Sequence, residues 1–228
     1  ARLYGNYSLS KKPITLSFTG TAGQSFGAWN VSGLNMTLNG DANDYVGKGM
    51  AGGNIVIQSP KELKTIASST VAIGNTCLYG ATGGRLFVEG IVGERFAVRN
   101  SGCIAVVEGS GDHACEYMTG GAVIFLGKVG NNFGAGMTGG LSFVYDDNQM
   151  LDSNINAESV ELVKIKPGKY RKHEEFIHKQ IKSHYAKTGS LRAKQILDNF
   201  CDEVKKFYII KPKSSNIDDL LVIINKAA

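Results

Sequence analysis

Short apolar runs recur along the chain, each close behind a glycine. They occupy residues 34–38, 55–57, 86–88, 104–107, 123–126 and 141–145. As a set they are rich in β-branched and aromatic residues and bounded by glycine, the pattern of short strands. The glycines ahead of them are Gly33, Gly52, Gly83, Gly102, Gly120 and Gly139, separated by 19, 31, 19, 18 and 19 residues. A second series, Gly20, Gly40, Gly74, Gly93, Gly111 and Gly130, steps by 20, 34, 19, 18 and 19. Both series lengthen at the same place, so one insertion, assigned to residues 59–66, interrupts a regular repeat.

A period of 18–19 residues is too short for a strand–helix–strand unit, which takes about 30. The Leu and Asn spacing of a leucine-rich repeat is absent. One coil of a parallel β-helix fits, because each coil stacks its strand on the one below and none buries its apolar face alone. The expected fold class is therefore all-β: a right-handed, single-stranded parallel β-helix over residues 1–166, with a helical tail over 167–228. The six first-series glycines are expected to form its corners, at φ > 0 where a side chain is strained.

Composition supports that reading. The chain holds 29 glycines among 228 residues, yet only two lie beyond residue 140. Pro is missing between residues 60 and 167, as strands bonded on both sides require. Past Pro167 the period changes. Ile177, Ile181 and Tyr185 recur every four residues, and Thr188-Gly189-Ser190 breaks the pattern with Ser190 as a cap. Ala193, Ile196, Leu197, Phe200, Val204 and Phe207 then trace one helical face, which Lys211-Pro212 ends; residues 218–225 add a last short helix.

Charge divides the chain in the same way. Residues 1–160 carry 10 Lys and Arg against 12 Asp and Glu, while 161–228 carry 15 against 8. The basic tail interleaves its lysines with acids, which marks a solvated helix face and argues against nucleic acid. No apolar stretch approaches the roughly 18 residues of a membrane span, and residues 1–7 do not read as a secretion signal. Cys77, Cys103, Cys115 and Cys201 contain no CxxC pair, so no zinc or cluster site is expected. A reduced, cytoplasmic protein follows, cut from a longer chain, and a homo-oligomer stays open.

Candidate chemistry is sparse. Residues 47–52 and 134–139 match GxGxxG, but a dinucleotide fingerprint must open a helix, and here a strand follows each time. Asp112, His113 and Glu116 form one charged group and Glu94, Arg95 and Arg99 another; caps and surface ion pairs are favoured over acid–base catalysis. His173, His178 and His184 do not share a helical face and read as solvated. Cys103 and Cys115 read as buried, although a strand would place His113 and Cys115 on one side, where an imidazole activates a thiol. Trp29 reads as packing on an end coil. The coil interior is expected to hold Ile55, Phe87, Ile104 and Phe125.

Several long strings resemble one family. Ala22-Gly23-Gln24-Ser25-Phe26-Gly27-Ala28, Gly40-Asp41-Ala42-Asn43-Asp44-Tyr45-Val46-Gly47-Lys48-Gly49 and Leu78-Tyr79-Gly80-Ala81-Thr82 are similar to the C-terminal, GXGXG-type domain of the glutamate synthase large subunit. So are residues 93–102, 115–121 and 132–137; the resemblance spans about residues 2–212, with Cys115 where Gly is expected. It implies a β-helix of about seven coils beside an amidotransferase domain and an FMN barrel with an iron–sulfur cluster. Those parts turn glutamine and 2-oxoglutarate into two glutamates, and they lie outside this chain. The resemblance thus carries over no catalytic, cofactor-binding or metal residue. It implies a scaffold whose partners are other domains or subunits of the synthase. A β-helix subunit of formylmethanofuran dehydrogenase is the alternative of the same class, and a carbohydrate-active β-helix enzyme, which needs stacked acids, the alternative of another.

Overall fold

Each apolar run is a strand. A computed structural model describes residues 8–227; residues 1–7, read above for a secretion signal, and residue 228 lie outside the description. The strands in chain order are β1 (Ile14–Thr21), β2 (Leu34–Asp41), β3 (Ala51–Gln58), β4 (Val71–Ile73), β5 (Gly83–Val92), β6 (Ser101–Ser110), β7 (Thr119–Phe125) and β8 (Gly139–Tyr145). All except β4 stack in parallel in the order β1-β2-β3-β5-β6-β7-β8, one strand per coil of a seven-turn β-helix. The insertion is a 3-10 segment (Lys61–Ser69) followed by β4, which pairs with β5.

Register turns the repeat into ladders of equivalent side chains. Phe18, Leu38, Ile57, Val88, Val107, Phe125 and Val144 form one rail. From Leu38 onward this rail lies in the interior core. Its neighbours Ser17, Thr37, Val56, Phe87, Val106, Ile124 and Phe143 point to the other face of the sheet, since strand side chains alternate. That outer rail is polar in the first two coils and apolar from the third, because a second core forms there beneath the tail. Phe87 and Ile104 belong to this outer core, not to the coil interior expected for them.

After β8 come α1 (Leu151–Asn154) and β9 (Val160–Lys164), and then the tail, α2 (Arg171–Thr188), α3 (Leu191–Asp198), α4 (Phe200–Glu203), β10 (Phe207–Pro212) and α5 (Ile217–Ala227). α2 lies along the outer rail with Phe176, Ile177 and Ile181 buried; His184, not Tyr185, takes the next inward position, because the helical period falls short of four. Ser190 caps α3 by accepting from Ala193 N–H at 3.0 Å. The expected helical face through Phe207 gives way to β10. This strand is antiparallel to both β8 and β9 and closes the last coil. Phe207 and Ile209 enter the outer core while Ile210 enters the inner one, so both faces of β10 are apolar. An apolar run of this kind has no strand alternation to read.

Candidate functional site

The glycine-rich strings build a second wall of each coil, opposite in character to the strands. Every second residue there has positive φ: Tyr45 (64°), Gly47 (64°) and Gly49 (63°) in one coil, Arg95 (56°), Ala97 (59°) and Arg99 (55°) in another. The same positions hold Ser25, Gly27 and Trp29, then Thr76, Leu78 and Gly80, then His113, Cys115 and Tyr117. A side chain in this conformation costs roughly 1–2 kcal/mol. Main-chain bonds between coils hold it: Tyr45 N–H donates to Asn75 C=O at 3.0 Å, Gly47 N–H to Phe26 C=O at 2.9 Å and Gly49 N–H to Tyr79 C=O at 2.9 Å. The two GxGxxG matches are therefore G-x-G steps of this wall, and no helix follows either.

Of the six first-series glycines only Gly33 (84°) is left-handed as expected; the other five corners follow a different rule. At Gly120 the backbone is not left-handed; φ turns positive at the next residue, Gly121 (75°). Gly120 is needed because a Cβ there would sit 2.3 Å from the Ser101 carbonyl oxygen of the coil below. Gly102 and Gly139 meet the Thr82 and Thr119 carbonyls at 2.2 Å in the same way. In the second series the close neighbour is a side chain. Asp44, Asn75 and Asp112 each accept, through Oδ1, the backbone N–H of Asn75, Glu94 and Asn131 one coil on, at 2.7–2.8 Å. A Cβ on Gly74, Gly93 or Gly130 would lie within 2.4 Å of those oxygens.

Asp112 is thus a cap between coils. His113 Nδ1 lies 2.8 Å from Glu116 Oε1 on the outside, and Asn132 reaches both. Cys115 points the other way, into the core, where Ser142 Oγ donates to its sulfur at 3.3 Å. The strand expected to align His113 with Cys115 is absent, so no thiol–imidazole pair forms. Burial pushes the Cys115 and Cys77 thiols up to about 12 and raises that of Cys103 further, so all three are held as inert thiols. Cys201 is exposed. Arg95 and Arg99 lie exposed beside Tyr117 and Tyr79, and Lys48 Nζ sits 5.0 Å above the Tyr45 ring. Trp29 is on the first coil but mostly exposed, its ring against Gly49.

Two of the tail histidines are not solvated. His173 and His184 face the sheet and are buried, eleven residues apart on one side of α2, while His178 faces out. His184 Nε2 is 3.7 Å from Glu108 Oε1. Glu108 and Glu89, 3% and 1% exposed, occupy neighbouring coils and are the stacked carboxylates that the sequence reading did not find. Their separation of 19 residues equals the coil period, which was the available signal. Glu89 takes Lys64 Nζ at 2.8 Å on both oxygens and Ser59 N–H at 3.0 Å; Ser190 Oγ donates to Glu108. Lys64 also reaches the Thr188 carbonyl at 2.8 Å. The pair clamps the insertion and the tail to the β-helix, and Glu89 borders a cavity of about 240 Å³ beside the insertion, lined by Pro60, Leu63, Val71 and Ala72. Among the described residues no three His, Cys, Asp or Glu side chains converge as metal ligands. Nor is any helix there long and apolar enough to cross a membrane.

The GXGXG motif family matches residues 1–213, the stretch that contains both walls. The chain belongs to the GXGXG family. It is 51% identical over 96% of its length to the ferredoxin-dependent glutamate synthase of Pyropia yezoensis, and 51% identical over 94% to ferredoxin-dependent glutamate synthase 2 of Synechocystis sp.. It is 45% identical over 94% to the NADPH glutamate synthase large chain of Bacillus subtilis. The chain spans 14% of the length of each of these three relatives. The alternating wall supplies the family's G-x-G steps, as at Gly47-Lys48-Gly49 and Gly134-Ala135-Gly136.

Proposed function

We propose that this GXGXG chain is the β-helix domain of a glutamate synthase and acts as a scaffold, with no catalytic group of its own. The observation that carries the reading is whole-length similarity to glutamate synthases combined with chemistry turned inward. Cys77, Cys103 and Cys115 are sealed in the core, and the stacked pair Glu89 and Glu108 is spent on holding the tail and the insertion. The carbohydrate-active alternative needs such a pair lining a groove. An iron–sulfur cluster does not fit the residues present, because the buried cysteines are separated along the coil and already packed. FMN, the cluster and the glutamine nucleophile are assigned to other parts of the synthase, which are also the chain's partners. Relatives named for ferredoxin and for NADPH are similar over the same span, so the electron donor is chosen elsewhere.

The test is an assay of the native polypeptide or complex beside the 228-residue chain. The former is expected to make glutamate from glutamine and 2-oxoglutarate. The latter is expected to show no flavin spectrum and to release no glutamate from glutamine. A yellow isolated chain, or glutaminase activity lost on Cys115→Ser, overturns the scaffold reading.

A further inference from the structure

Among the described residues the first coil has an uncovered end, and β1 pairs with β2 alone. Ile14 N–H donates to Gly33 C=O at 2.8 Å and Ala22 N–H to Asp41 C=O at 2.9 Å, and the register between them is unbroken. Strand alternation therefore turns the N–H and C=O groups of Thr15, Ser17, Thr19 and Thr21 away from β2, where the described residues provide no strand. All eight residues of β1 are exposed. Leu16 and Phe18, at 39% and 41% exposure, stand in rails that run into the interior core; Leu38, which pairs with Phe18 one rung on, is only 1% exposed. Phe26 and Trp29 carry the apolar rim along the second wall of the same coil.

Edges of this kind are usually blunted by charge, proline or a bulge. β1 has none of the three between Ile14 and Thr21. The opposite end shows how this chain closes a coil: β10 pairs with the free edge of β8, and Leu151, Val160 and Ile210 fill the core beneath it.

We infer that the β1 end is a docking site for an extended segment from elsewhere in the synthase polypeptide, which adds one rung to the sheet. This rests on the glutamate synthase reading above. Since the chain is 14% of the length of its relatives, most of such a polypeptide lies outside the structure. The segment pairs its main chain with the free groups of Thr15, Ser17, Thr19 and Thr21. It sets apolar side chains at alternate positions over Leu16 and Phe18, the mode of strand addition to an open edge.

Amide hydrogen exchange on the native polypeptide and on the 228-residue chain tests this. The amides of Thr15, Ser17, Thr19 and Thr21 are expected to exchange on the order of 100-fold more slowly in the native polypeptide. Phe18→Asp there should return them toward the rates of the isolated chain, whereas Leu63→Asp on the exposed insertion should not. Equal rates in both proteins overturn the inference. So does protection that appears in the isolated chain, whether at every concentration or only as concentration rises; the latter identifies a second copy as the occupant. Unprotected β1 amides in a polypeptide that makes glutamate overturn the docking site alone. A polypeptide that makes no glutamate overturns the functional reading instead.

Discussion

Phe18 and Phe125 stand in the same rail of the β-helix, five rungs apart, with the same side chain and opposite surroundings. Phe125 is fully buried between Phe96 and Phe133, both edge-on to it at 6.2 and 5.3 Å. Phe18 touches Phe26 edge-on at 5.4 Å and otherwise faces outward. Position in the repeat specifies only which way a side chain points. Whether that direction is interior depends on the next coil, and the described residues supply one at the β8 end only. A repeat is stabilised by nearest neighbours, so an end without one is the weakest part of the stack.

Truncation of the two phenylalanines measures that difference directly. Phe125→Ala is expected to cost about 3–5 kcal/mol, the loss for a buried aromatic ring. Phe18→Ala in the isolated chain should cost about 1 kcal/mol, since much of its surface is already wet. Denaturant midpoints of the two variants decide; equal losses would mean that the two ends do not differ.

Glycine replacements sharpen the contrast at the backbone. Gly120→Ala puts a methyl against the Ser101 carbonyl, which cannot move without breaking the ladder, so about 3 kcal/mol is expected. At Gly20, in the first coil, φ is +105° but no atom lies within 4 Å of the added carbon. Gly20→Ala should therefore cost only the backbone strain, about 1–2 kcal/mol. The larger loss at Gly20 would show that conformation, not crowding between coils, makes the corner glycines necessary.

The repeat was legible because close approach between coils leaves only glycine at fixed intervals, and that is a one-letter signal. The corner was read one step off: the tight contact is at Gly120 and the left-handed turn at Gly121. β1 carries no such signal, because Pro13 and not a glycine introduces it. The alternating wall was hidden by its own tolerance, since Tyr45, Arg95, His113 and Tyr117 take left-handed positions that local propensity denies them. Bonds to the neighbouring coils hold those positions, and no local window of sequence contains both partners. The same holds for Glu108 and Ser190, which meet across 82 residues. His173 and His184 share one face of α2, but His178 between them faces out, so the spacing of the three together hides the buried pair.

The clamp gives a third comparison, smaller than the first two. Ser190 both caps α3 and donates to the buried Glu108, so Ser190→Ala leaves an orphan helix N–H and an unmet carboxylate. A loss of about 2 kcal/mol is expected. At the open end Thr21 Oγ1 donates to Asp41 at 2.6 Å, but in an exposed setting, and Thr21→Ala should stay within about 0.5 kcal/mol. Melting temperatures of the two variants check this; a comparable fall for Thr21→Ala would mean that the first coil is more tightly built than its exposure implies.

The smallest expected effect depends on pH and acts only where the tail covers the sheet. His173 is buried beneath α5, with Nε2 3.2 Å from the Ile217 carbonyl, a bond that a neutral ring with its proton on Nε2 can make. Burial lowers its pKa below the ordinary imidazole value, and Lys172 adds to this; the Ile217 carbonyl and Asp218, 4.0 Å from Nδ1, oppose it without reversing the direction. Below the ordinary value of about 6.5 the unfolded chain therefore binds a proton that the folded chain resists. The contribution of His173 is fully present above that pH and is lost progressively as pH falls from there toward the lowered folded value. His173→Gln should flatten this part of the stability profile between neutral and mildly acidic pH. Amide exchange at Leu221 and Ile224, which α5 buries, should quicken with acid in the parent and not in His173→Gln, while the amides of β1 show no such difference. An acid slope that survives His173→Gln intact would place the pH sensitivity somewhere other than the covered end.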